Sequence, residues 1–110
     1  MNEDPDATTH EGLYPYLRSI PSEPGVYRVE TLSGTVHIIS TIGRLTWKRL
    51  PAPTSGAGTY DGKTVILSEM SGLEVGERGL LIISDGSYLF GPSIHSTARI
   101  TRISLETKVL

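Results

Sequence analysis

The chain has 110 residues, no cysteine and a formal net charge of −2; that length suits one domain with a single core, and the missing thiols exclude both a disulfide framework and thiol chemistry. Twelve glycines and seven prolines predict short elements joined by many turns. Glu3, Asp4, Asp6 and Glu11 precede the first Lys or Arg, so the remainder holds ten basic against eight acidic side chains, and a charge of +2 argues against strong phosphate-driven binding of nucleic acid.

Residues 1–12 are short, acidic, polar and interrupted by Pro5, which predicts a disordered solubilising tail ahead of a single domain over residues 13–110. From Leu13 to Pro24 the apolar Leu13, Tyr14, Tyr16, Leu17 and Ile20 are broken by Pro15, Pro21 and Pro24, so a long helix is excluded. This segment is expected to pack across an open end of the sheet, with its tyrosines and leucines in the core.

Between Gly25 and Leu50, turns at Ser33-Gly34 and Ile42-Gly43 separate three β-rich runs, the pattern of an antiparallel meander. A two-residue turn at Ser33-Gly34 would pair Thr31 with Val36, Val29 with Ile38 and Tyr27 with Ser40 on an apolar face. It would place Arg28, Glu30, His37 and Ile39 on the opposite, mostly polar face, with His37 facing Glu30 as a surface pair. If Thr41 then pairs with Arg44, Trp47 and Leu45 extend the apolar face, and Thr46 and Lys48 point outward. A loop with a glycine bulge would shift that second register by one and bring Trp47 beside His37. The first arrangement is preferred because it keeps the large side chains together.

Pro51 to Gly58 is a loop by composition, Asp61-Gly62 is a strong turn signal, and Val65 to Leu67 form a strand. After a glycine-rich connection, Leu80, Leu81, Ile82 and Ile83 form the deepest strand. A hairpin at Asp85-Gly86 would pair Ile83 with Tyr88, Ile82 with Leu89 and Leu81 with Phe90, leaving both faces apolar. One layer of sheet cannot bury both, so the sheet closes into a barrel or sandwich covered by the N-terminal segment, or a second subunit covers it. Ala98 to Leu105 reads as a closing strand, in which Ile100 and Ile103 share a face only if a bulge realigns them. The expected fold is all-β, a small antiparallel barrel or sandwich of about six to eight strands.

Motifs of chemistry are few. Ala57 to Thr64 satisfies the loose phosphate-binding loop pattern, but β-branched Thr64, Val65 and Ile66 follow where the pattern needs a helix, so a β-turn is the better reading. His10, His37 and His95 show no ligand spacing, and no metal site or cofactor is expected. His95 with Ser93 or Ser96 and Asp85 can be drawn as a triad, yet no Ser sits in a nucleophile elbow and the chain is read as non-enzymatic. Arg44, Trp47, Lys48 and Arg49, with Arg99 and Arg102, offer a face for single-stranded nucleic acid, weakened by alternation and by the expectation that Trp47 lies in the core. No basic segment leads into an apolar run and no stretch is long enough to span a bilayer, which predicts a cytoplasmic protein without membrane association.

Val26-Tyr27-Arg28-Val29 with Thr31 and Ser33-Gly34-Thr35, then Trp47, Arg49 and Leu50, then Val75-Gly76-Glu77, and finally Ser96-Thr97, Arg99-Ile100 and Arg102-Ile103 resemble small uncharacterised all-β proteins of actinobacteria and their phages. The resemblance implies a phage accessory context, in which small domains act by binding a host protein or one another. Two surfaces are expected to matter: if the N-terminal segment covers the strand Leu80, Leu81, Ile82 and Ile83, a monomer meets a protein partner through the outer face bearing Arg28, Glu30, His37, Ile39, Thr46 and Lys48; if it does not, that strand is a self-association surface that would make a homo-oligomer.

Overall fold

A computed structural model describes residues 16–53, 56, 61–83 and 93–108. The expected acidic tail and the Asp85-Gly86 turn lie outside the described residues. Among the described residues seven strands run β1 (Tyr16–Leu17), β2 (Gly25–Thr31), β3 (Val36–Ser40), β4 (Thr46–Leu50), β5 (Thr64–Ser71), β6 (Arg78–Ile83) and β7 (Ser93–Lys108). Every pairing between them is antiparallel, in the order β1-β7-β2-β3-β4-β5-β6, and a further pairing of β6 with β7 closes six strands into a barrel. Among the described residues no helix is long and apolar enough to cross a membrane.

Closure depends on the length of β7. Its first half pairs with β6, from Ser93 opposite Ile83 to Arg99 opposite Arg78, and its second half pairs with β2. At the crossover, Thr31 faces Ile100 while Glu30 faces Arg102, so Thr101 is the extra residue of a bulge, and its hydroxyl donates to the Glu30 carbonyl at 3.1 Å. The bulge turns both Ile100 and Ile103 inward, where they are fully buried. The edge that β6 leaves is taken by β1, with Tyr16 opposite Ser104 and Leu17 opposite Ile103. Instead of crossing an open end of the sheet, the segment extends it along β7; Leu17 and Ile20 pack on the core, Tyr16 is 66% exposed and is not a core residue, and Leu13 and Tyr14 lie outside the described residues.

The core is Val29, Ile39, Trp47, Leu67, Leu73, Leu81, Ile83, Ile100 and Ile103, contributed by every barrel strand and the β5–β6 connection. Where Gly79 passes Leu73, a Cβ would sit 2.7 Å from a Leu73 methyl, so the connection packs closely against β6 there and a larger residue would require the Leu73 side chain to move.

The meander forms with both registers moved by one residue from the expected pairing. Thr31 and Thr35 bracket a three-residue loop, with the Thr31 amide donating to the Thr35 carbonyl at 3.1 Å and the Gly34 amide to the Thr31 carbonyl at 3.0 Å. Gly34 takes a φ of 90°, the left-handed residue that ends such loops. The Thr31 hydroxyl adds a bond to the Thr35 carbonyl at 2.8 Å, which favours this loop over the two-residue turn. The second connection also lengthens: Thr41 leaves β3 to exchange bonds with Gly25, and Ser40 pairs with Thr46. Two consecutive one-residue shifts cancel on β2 and β4 and invert only β3. Hence Tyr27, Val29 and Trp47 are inside as expected, but Thr35, His37 and Ile39 face inward and Val36, Ile38 and Ser40 outward.

Leu81 pairs with Met70 and His95, and Ile82 with Glu69 and Ile94, while the expected partners Tyr88, Leu89 and Phe90 lie outside the described residues. Strand β6 is apolar on both faces, as read. Leu81 and Ile83 fill the barrel, while Leu80 is 43% exposed and Ile82 half-buried on the outside.

Candidate functional site

Two groups of side chains merit a functional reading, one inside the barrel and one outside. Inside, β3 contributes His37, β4 contributes Trp47 and β7 contributes His95. Alternation along each strand turns these three toward a common space. Ring centroids lie 6.0 Å apart for His37 and Trp47, 5.8 Å for His37 and His95, and 4.8 Å for Trp47 and His95. The Trp47 indole Nε1–H donates to His37 Nδ1 at 2.9 Å. That bond requires Nδ1 to be unprotonated, so the imidazole is neutral and carries its proton on Nε2.

Electrostatics agree. Burial, reinforced by His95 and by the Arg49 guanidinium, holds the His37 pKa down at about 4. His95 is also lowered, first by burial and then by Arg49, with Asp61 acting in the opposite direction. Arg49 itself is fixed at the barrel end by an ion pair to Asp61 and by donation to the Gly56 carbonyl at 3.0 Å. Gly62 donates to the Arg49 carbonyl at 2.9 Å, so Asp61-Gly62 is a turn that fastens β4, and Thr64 opens a strand where a phosphate loop would need a helix.

The indole N–H and His37 Nδ1 satisfy one another; a hydrogen bond inside the core costs less than an orphaned indole N–H. Among the described residues no three His, Asp or Glu side chains converge as metal ligands. Ser96 follows His95 directly on β7 and so points to the other face of the strand. Trp47 is 1% exposed and cannot stack on a nucleobase without unfolding β4.

Outside, the faces of β7, β2, β3 and β4 form one continuous surface. Its rows, set by strand register, are Ser104, Arg28, Ile38, Lys48 and Thr64, then Arg102, Glu30, Val36 and Leu50. Arg28, Glu30, Thr46 and Lys48 lie on it as expected. His37 and Ile39 do not: they are buried at 1% and 0%, and Val36 and Ile38 stand in their place. Glu30 is not a partner of His37. It accepts from Arg28 Nε at 3.3 Å and lies 4.0 Å from Arg102 Nη1. The face thus has half-buried Val36 and Ile38 flanked by Arg28 and Lys48, whose aliphatic stems can cover apolar neighbours while their charges stay in water.

A second outer region joins β5, β6 and β7. Ile82 lies opposite Ile94, which is 69% exposed, and Leu80 is two residues along the same face. Inverting β3 hid Ile38 from the sequence reading; a three-residue loop ending on Gly34 was the signal that could have revealed it. Comparison with protein-family models, curated proteins and solved structures finds no match to this chain.

Proposed function

We propose that the protein is a non-enzymatic interaction module that binds a partner protein through the outer face of β2, β3 and β4. The observation carrying this reading is the composition of that face. Half-buried Val36 and Ile38 offer apolar contact area, and Arg28, Glu30 and Lys48 rim them, which is the layout of an apolar centre inside a polar border. The same strands commit their inner face to the core, so the outer residues are free to be chosen for recognition. A host protein is the partner class that a phage accessory context implies.

The test is affinity capture with mass spectrometry, comparing the native chain with R28E/K48E. Loss of the same captured protein, with a melting temperature changed by less than about 2 °C, is the expected result, because exposed charges contribute little to stability. Capture that survives both reversals rejects the outer face as the binding surface.

Self-association is a second reading, favoured by exposed Leu80 and Ile94 beside Ile82. It predicts a concentration-dependent oligomer by analytical ultracentrifugation that L80S/I94S converts to a monomer. A native chain that sediments as a monomer across the accessible concentration range rejects it.

A further inference from the structure

The β1–β7 edge carries a surface cleft of about 320 Å³, lined by Tyr16, Leu17, Arg18, Val75, Thr101, Arg102 and Ile103. Its frame is backbone. Val75 donates to the Arg18 carbonyl at 2.8 Å, Ile20 to Leu73 at 3.3 Å, and Gly76 to Ile100 at 2.8 Å, while Ser19 bridges Glu74. These bonds lock the β5–β6 connection to the N-terminal segment, and the cleft lies where they meet β7.

The lining is chemically one-sided. Among the described residues it holds two guanidiniums and no carboxylate. The Arg18 side chain is exposed and makes no hydrogen bond or ion pair among the described residues. Arg102 is only partly committed: it lies 4.4 Å above the Tyr16 ring and 4.0 Å from Glu30, with its side chain 48% exposed. A guanidinium stacked on an aromatic ring keeps its edge N–H donors available, and that edge matches a carboxylate in two parallel bonds. Beside the charges, Tyr16 and Val75 leave apolar surface open at 66% and 39% exposure. A bare anion would satisfy the arginines and leave those walls wet.

We infer that this cleft receives an acidic segment of a partner protein, with an Asp or Glu carboxylate on Arg18 and Arg102 and a neighbouring apolar or aromatic side chain on Tyr16 and Val75. The inference rests on the interaction reading and names the partner's chemistry. Strand register supports their continuity: Arg102 pairs with Glu30, and Tyr16 and Arg28 both lie opposite Ser104, so the cleft ends the same outer face.

The experiment uses the full chain and a fluorescein-labelled peptide of two glutamates, a leucine and a tyrosine, blocked at both ends, with the glutamine analogue as control. Anisotropy should show saturable binding of the acidic peptide, weakened at least about tenfold by R18Q/R102Q and by raising the salt from low to 0.5 M. Backbone ¹H–¹⁵N shifts should move at Tyr16, Val75 and Arg102. R28E/K48E should keep peptide binding while losing protein capture, so the two readings fail separately. Equal binding of acidic and glutamine peptides overturns the inference, as does tighter binding of a phosphopeptide or oligonucleotide at the same residues. Binding seen only with the full-length E3Q/D4N/D6N/E11Q variant also overturns it, because the chain's own carboxylates would then be the occupant.

Discussion

The inner and outer faces of β2, β3 and β4 are made by alternate residues of the same strands, yet they are held by different physics. Inside, Tyr27, Val29, His37, Ile39 and Trp47 are buried, and each polar atom needs a specific partner: the indole N–H finds His37, and the Tyr27 hydroxyl donates to the Glu23 carbonyl. Outside, Arg28, Glu30, Ile38 and Lys48 touch water, and their ion pairs can be rearranged at small cost. The comparison teaches that register is set by the interior. Any outer surface proposed for binding is whatever the interior leaves over.

The largest effect should come from the centre of the interior. Trp47→Ala removes the biggest fully buried side chain and strips His37 of its donor, and a loss of about 3–5 kcal/mol by chemical denaturation is expected. A loss below about 1 kcal/mol would mean that the indole is not packed as described. The adjacent isoleucines then break or sharpen the comparison directly. Ile39→Ala should cost about 2–4 kcal/mol and Ile38→Ala about 1 kcal/mol or less, since only the first leaves a cavity. Reversed costs would restore the two-residue turn at Ser33-Gly34.

A third prediction follows from the buried imidazole. The folded pKa of His37, about 4, lies below the ordinary value of 6.5, so between those values the unfolded chain binds the extra proton. Stability is therefore fully present above about pH 6.5 and falls as the pH drops toward 4, by about 3 kcal/mol from His37, with His95 acting in the same direction. His37→Gln, whose amide oxygen can accept the indole bond, should flatten that slope. An unchanged slope would assign it to other groups. The smallest effect belongs to the outer face, where R28E/K48E should leave unfolding free energy within about 0.5 kcal/mol of the native chain.

Much of the fold was legible because the signals were local. Alternation in Gly25 to Thr31 gave β2 and its buried residues, and the Ile100–Ile103 spacing announced a bulge, found at Thr101. Strand β3 was misread because the more apolar of its two faces, Val36-Ile38-Ser40, is the outer one and Thr35-His37-Ile39 the inner; loop length set the register against that pattern, with hydroxyl bonds around Thr31 and Thr35 holding the longer loop. A buried histidine looks like a surface one until its partner is known. The cleft at Tyr16 was invisible for another reason: it assembles residues from three separated parts of the chain, and no spacing in sequence marks it.

Site-specific photo-cross-linking tests the central claim most directly. Benzoylphenylalanine placed at Lys48, on the outer face, and separately at Arg78, on β6, is irradiated in lysate. The account predicts one discrete adduct from the Lys48 position, the same protein that R28E/K48E fails to capture, and none of it from Arg78. An adduct with that protein from Arg78 and not from Lys48 would contradict it.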